Sequence, residues 1–210
     1  LLIRSPILSK GKFQQLMAME DPAYDNHFID LNYDPKINLR SAIENVCQQA
    51  EQAIRNGKVM LVLSDKNIDQ NKSVIHALLA TGAVHHHLIK AGLRCDSNIV
   101  VETASARDSH HIACLLGFGA SAIYPYLAYS VIDDLMQSGE LVGDPADCQK
   151  SYRKGLNKGL LKILSKMGIS TIASYRGAQL FEAVGLADEV IELCFKGVAS
   201  RIQGATFSDL

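Results

Sequence analysis

The side chains here that could do chemistry are seven histidines, a few acids in polar loops, and five cysteines. Three histidines stand in a row, His85-His86-His87, and two more form the pair His110-His111. Imidazole is a zinc ligand, so both runs raise the possibility of metal-dependent hydrolysis. The spacing opposes it. Neighbouring residues on a helix point about 100° apart, so three adjacent rings cannot close on one tetrahedral ion, and an adjacent pair has the same defect. His76 or His87 would have to meet His110 in space, which no spacing rule demands. The expectation is that one or two rings pack inside, bonded to carbonyls or carboxylates, and that no metal is held.

The remaining candidates are weaker. Gly117-x-Gly119-Ala120 precedes a strand, whereas a phosphate cradle needs strand, glycine loop and helix N-terminus in that order, so a helix end and a tight turn are expected. Ser64-Asp65 and Glu102-Thr103 follow apolar runs, at the sheet edge where parallel α/β proteins build their sites. Glu102 with Arg107 could form a charged pair at a helix start; general-base work is the less favoured role. Ser165 to Thr171 is dense in small polar groups, and Ser151-Tyr152-Arg153-Lys154 matches a Ser-x-x-Lys nucleophile only loosely. There is no G-x-S-x-G elbow. Nothing assembles a nucleophile, a base and an oxyanion hole, so no catalytic, cofactor-binding or metal-ligating residue is assigned. The cysteines (47, 95, 114, 148 and 194) contain no C-x-x-C pair and read as free thiols in a reducing cytoplasm.

The elements that must position these groups alternate between two periodicities. The stretch from Val100 to Leu127 reads as strand, helix and strand. Ile99-Val100-Val101 is β-branched, Ser105 is expected to cap a helix ending at Gly117, and Ala120 to Ile123 is a second buried strand. Two such strands joined by about fifteen residues need a helical crossover, so they run parallel. Upstream, Ser9 caps a short helix to Met17, His27 to Leu31 is a strand, Asn32 to Pro35 a turn, and Asn38 opens an amphipathic helix ended by Gly57. Val59 to Leu63 is a continuous apolar strand, followed by a helix over Ser73 to Ala91. Downstream, helices are expected from Tyr126 to Met136, Tyr152 to Met167 and Gly177 to Val184, with a strand over Ile169 to Ala173. Residues 1–35 and 187–210 are expected to pack more loosely, the tail as short helices. The fold class is therefore α/β: a parallel sheet of about four to five strands flanked by helices, resembling an incomplete (β/α) barrel.

Composition bounds the partners. With 21 basic against 22 acidic residues the net charge is −1, which gives no reason to expect nucleic acid. No apolar run reaches the roughly 18 residues of a membrane span. Leu1-Leu2-Ile3 leads straight into Arg4-Ser5-Pro6, so no signal peptide is read, and the absence of an initial Met suggests a piece of something longer.

Many short blocks in register resemble one family. Ser5-Pro6-Ile7-Leu8-Ser9, Leu63-Ser64-Asp65, Leu78-Leu79-Ala80 and Ala83 to Ile89 come first. Val101-Glu102-Thr103, Ala106-Arg107, His110-His111, Gly117 to Ala120 and Pro125 to Ala128 follow. The densest block runs from Gly159 through Lys166-Met167-Gly168-Ile169 to Ser174-Tyr175-Arg176-Gly177-Ala178-Gln179, then Phe181-Glu182-Ala183, Gly185-Leu186 and Ser200-Arg201-Ile202. The chain resembles, over residues 1–210, the central domain of the large subunit of glutamate synthase. His76 departs from an expected Pro, Lys66 from Arg, Val198-Ala199 from Thr-Pro and Gln203 from Gly.

The resemblance implies an oxidoreductase that makes L-glutamate from L-glutamine and 2-oxoglutarate with reducing equivalents. In it a non-catalytic domain links a glutaminase domain to a synthase domain holding FMN and an iron–sulfur cluster, and helps wall an ammonia tunnel. No cofactor would sit in this segment. Its partners would be those two domains and a small electron-transfer subunit or ferredoxin. His110, His111, Ser165, Lys166, Ser174 and Tyr175 would then face neighbouring domains. The alternative is a stand-alone FMN- or phosphate-binding α/β-barrel oxidoreductase.

Overall fold

The computed structural model describes residues 3–210; Leu1 and Leu2, on which the reading of the N-terminus partly rests, lie outside them. Four parallel strands form the central sheet: β1 (Asn26–Asp30), β3 (Met60–Ser64), β5 (Asn98–Glu102) and β6 (Ala122–Tyr124). They lie in the order β1-β3-β5-β6, each beside the next in the chain. A doubly wound sheet reverses its strand order once. This one never does, so the winding is that of a barrel opened after four strands. A single parallel bridge from Ile7 to Ile123 adds a fifth position at the β6 edge.

The crossovers are α2 (Leu39–Arg55), α3 (Ala77–Lys90) and α4 (Ser109–Gly117). They pack on one face of the sheet, where Ile29, Leu61, Leu63, Ile99, Val101 and Ile123 point. The alternate residues Met60, Val62, Val100, Ala122 and Tyr124 point to the other face, as the two-residue pleat requires. That second face is covered by α1 (Lys10–Met17), through Phe13 and Leu16, and by Tyr129 of α5 (Tyr126–Gln137). The Phe13 and Tyr124 rings stack 4.5 Å apart, and Tyr129 Oη donates to Leu8 O at 3.0 Å. A strand buried on both faces must be apolar throughout, which is why β3 reads MLVLS without alternation.

The helix starts follow their caps. Ser9, Asn38 and Asp144 accept from backbone N–H groups of Lys12, Ser41 and Asp147. The helix expected from Tyr152 begins earlier, so α6 runs Pro145–Lys166 with Pro in its first turn. Four other expectations are corrected. Asp108, not Ser105, caps α4, its Oδ1 accepting from His111 N at 2.9 Å. Ser73-Val74 is a strand, β4, pairing antiparallel with β2 (Asn32–Tyr33), and α3 starts only after His76, whose Nδ1 accepts from Leu78 N. Ile169 to Ala173 is not a strand: Thr171 caps the short helix α7 (Ile172–Tyr175) through Ser174 N. Gly177 to Val184 is not a helix; Glu182–Leu186 is β7, parallel to β8 (Ala199–Ala205). Between these two, α8 (Asp188–Cys194) lies against α3, with Val190 and Cys194 fully buried. Its carbonyl at Cys194 comes so close that a Cβ on Gly82 would sit 2.0 Å from it.

Candidate functional site

The polar groups of this domain gather where strand β3 and strand β5 end. The parallel register places Ser64 opposite Glu102, and Glu102 opposite Tyr124. Glu102 is only 3% exposed. Its Oε2 accepts from Ser64 Oγ at 2.7 Å, and its Oε1, which has no hydrogen bond, lies 3.6 Å from Lys66 Nζ. Arg107, expected as its charge partner, is not; Lys66 fills that role, and Ser64 is its hydrogen-bond donor. The carboxylate borders a cleft of about 580 Å³ whose wall includes Phe13, Met17 and Phe28 and whose other polar members are Gln14, Asp30, Ser64, Lys66 and Asn67.

One residue further along, Asp65 is buried and bridges the same two strands. It accepts from Thr103 Oγ1 at 2.5 Å and from Ala104 N at 3.0 Å. Thr103 is itself wholly buried. A charged acceptor bonded this way is a strong tie between loops, but its partner hydroxyl is shut away from any substrate. Tyr126, beside it, has its phenol held up by burial first and then by the charge of Asp65. His76 is held below the usual imidazole range by burial, with Asp65 acting in the opposite sense and His111 in the same one.

The three adjacent histidines do not converge on one point. His85 is buried, and its Nδ1 accepts from Arg94 Nε at 2.8 Å. His87 Nε2 lies 2.6 Å from Glu51 Oε2. The His86 ring lies edge-on to that of His85, 5.2 Å away. Among the described residues, no group of three His, Cys, Asp or Glu is placed to hold a metal ion. Reading the sequence missed Arg94 and Arg176, which flank His85. Arg94 also donates to Ser97 O and Gly119 O, and Arg176 keeps a buried Nε with no partner. The only signal was the glycine at 119, whose φ of +121° brings it against the His85 ring.

The residues expected to face neighbouring domains fall into two groups. His110 and His111 begin α4; His111 Nδ1 accepts from Arg107 N at 3.2 Å, and His110 Nε2 lies 3.6 Å from Cys114 Sγ. Ser165 and Lys166 end α6 and are exposed, as is Ser174, whose Oγ is 2.9 Å from Thr171 Oγ1. Tyr175 differs from the rest: at 1% exposure it is already covered within the chain, against Phe181 and near Cys114. All five cysteines are free; burial pushes the Cys47 and Cys194 thiols up to about 12, so neither is a ready nucleophile.

The winding and the two-sided core define an α/β half-barrel, and comparison with solved structures agrees. A double mutant of flavocytochrome b2 with pyruvate bound superposes with a TM-score of 0.51, over 76% of this chain and 41% of that one, at 12% identity. At that identity only the fold is shared. Relatives are more specific: a ferredoxin-dependent glutamate synthase of Pyropia yezoensis is 44% identical over 99% of the chain, and the glutamate synthase [NADPH] large chain of Bacillus subtilis (strain 168) is 41% identical over 95%. The chain spans 14% and 13% of those two proteins. The family model for the glutamate synthase central domain matches residues 1–187, and the chain belongs to that family. Among the described residues, no helix is long and apolar enough to cross a membrane.

Proposed function

We propose that this chain is the non-catalytic connecting domain of a glutamate synthase. On this reading it links a glutaminase domain to a synthase domain that carries FMN and an iron–sulfur cluster, and its surfaces help wall the passage for ammonia. The observation that carries it is how the domain uses its barrel-like sheet. In α/β barrels the strand ends and the loops after them hold ligands. Here the inner face is filled by Phe13, Leu16 and Tyr129, and the strand ends are tied by Ser64–Glu102 and Asp65–Thr103. Hydrogen bonds that could meet a substrate are spent on holding loops. The helix-end residues His110, His111, Ser165, Lys166 and Ser174 are left as contacts for the flanking domains, with Tyr175 stiffening the segment behind them. The electron donor, ferredoxin or a reduced pyridine nucleotide delivered by a small subunit, acts elsewhere in the enzyme.

The test uses the intact protein with both His110 and His111 changed to Ala. Glutamine hydrolysis and ammonia-dependent glutamate formation, assayed separately, are expected to persist, while the coupling between them weakens. Complete loss of either half-reaction in a well-folded variant overturns the connecting role. So does micromolar uptake of FMN by residues 1–210.

A further inference from the structure

A second groove, of about 640 Å³, lies between α1, α6 and the segment that precedes α1. Lys12, Gln15 and Leu16 of α1 line it, at i, i+3 and i+4, so they share one helix face, and Met19 follows just past the helix end. Lys150, Arg153, Lys154 and Asn157 of α6 line the opposite wall, at i, i+3, i+4 and i+7. Ile7 and Leu8 contribute to the lining between them, and Ser5 Oγ donates to Asn157 Oδ1 at 2.8 Å, tying that segment to α6. Arg4 completes a set of five cations. Among the described residues, none of the five has a carboxylate within ion-pair distance. By contrast Arg40, Arg55, Lys58, Lys66, Lys72 and Arg201 each have one.

Five like charges around one recess repel each other, and an apolar lining weakens the screening by water. A recess built this way is complementary to a chain that carries carboxylates and aliphatic groups together. No aromatic side chain lines it, so it lacks the stacking platform that single-stranded nucleic acid uses. A membrane surface would need a protruding face, and this one is recessed.

We propose that the groove between α1 and α6 seats an acidic, aliphatic-rich segment of the same polypeptide from outside residues 1–210. This rests on the reading that the chain is one domain of a longer enzyme. The carboxylates of that segment pair with Lys12, Lys150, Arg153 and Lys154, and its aliphatic groups lie on Ile3, which is 43% exposed, and on the half-buried Met19.

The test is zero-length cross-linking of the intact protein with a water-soluble carbodiimide, which joins a lysine amine to a carboxylate in direct contact, followed by peptide mapping. Lys12, Lys150 and Lys154 are expected to link to one acidic segment outside residues 1–210. Raising NaCl from about 0.05 to 0.5 M should cut the yield several-fold, because the Debye length shrinks from about 14 to 4 Å. In the variant Lys150→Glu, Lys154→Glu the link at Lys12 should fall about fivefold; if that variant misfolds, the milder Lys150→Gln, Lys154→Gln pair is read in the same way. The proposal is overturned if the three lysines link only within residues 1–210, or if acetic anhydride modifies them in the native protein as fast as the exposed Lys36. Full modification with the two half-reactions still coupled would remove the groove proposal and leave the domain reading standing.

Discussion

Arg94 Nε donates to His85 Nδ1 at 2.8 Å, so the His85 ring is neutral, with its proton on Nε2. Burial, then the charges of Arg94, His86 and Arg176, hold its pKa down to about 3. An unfolded histidine titrates near 6.5. Between these values the unfolded chain binds the extra proton, so the stability due to this site is complete above pH 6.5 and is lost as pH falls through that window. Between pH 7 and pH 5 the loss should be about 2 kcal/mol. Urea midpoints measured across this range should fall with acid in the native sequence and fall less steeply in His85→Gln. Equal slopes would show that His85 is not the group responsible.

The Ser64–Glu102 bond joins two strand ends inside the protein. Removing the hydroxyl leaves a buried carboxylate with one partner fewer. Ser64→Ala, Glu102→Gln and the double variant form a cycle whose coupling energy should be about 2 kcal/mol, the range for hydrogen bonds to a charged group. A coupling below about 0.5 kcal/mol would mean that the carboxylate is satisfied by Lys66 alone.

Two glycines on α6 should respond in opposite directions to alanine. At Gly155 a Cβ meets nothing within 4 Å, so Gly155→Ala should stabilise by about 0.5–1 kcal/mol through helix propensity. At Gly159 a Cβ would fall 2.6 Å from Ser109 Cβ and closer still to its hydroxyl. There α6 packs against the start of α4, and overpacking should cost about 1–3 kcal/mol despite the same propensity gain. Thermal unfolding of the two variants side by side decides it; matching shifts would contradict the close approach of these helices.

The start of α4 supplies a fourth measurement. Asp108→Ala removes the cap at His111 N and should cost about 1 kcal/mol in chemical denaturation. It also removes the carboxylate that lies 3.4 Å from His111 Nδ1. Asp108 itself is held below the usual carboxylate range, first by its bond from His111 N. Its contribution should therefore persist at neutral pH and disappear in acid, as that carboxylate takes up its proton.

Much of this fold was legible in the residues alone. The apolar run at Val59 to Leu63, the end of the crossover helix at Gly117, and the caps Ser9 and Asn38 all landed within a residue or two of their place. Short-range patterns carry that information because they report burial and local hydrogen bonding. Two of the failures lie after Gly168. There Ile169 to Ala173 had a strand's composition but no neighbouring strand to pair with, and Gly177 to Val184 read as a helix but its end was drawn into the ribbon of Glu182 to Leu186 with Ala199 to Ala205. Pairing between distant segments decides such cases.

The candidate site divides along the same line. By itself the sequence determined that the domain is α/β, that adjacent histidines cannot share an ion, and that Ser64-Asp65 and Glu102-Thr103 sit at strand ends. Only the tertiary structure decided what those ends do: Asp65 closes onto Thr103, Glu102 onto Ser64, and Phe13 packs on the sheet face against Tyr124. It alone brought Lys12 and Lys150, which stand far apart in the chain, to one groove. Periodicity fixes which way a side chain points along its own element. Which distant group it meets depends on how the elements pack, and that geometry arises only when the sheet and its helices close on a common core.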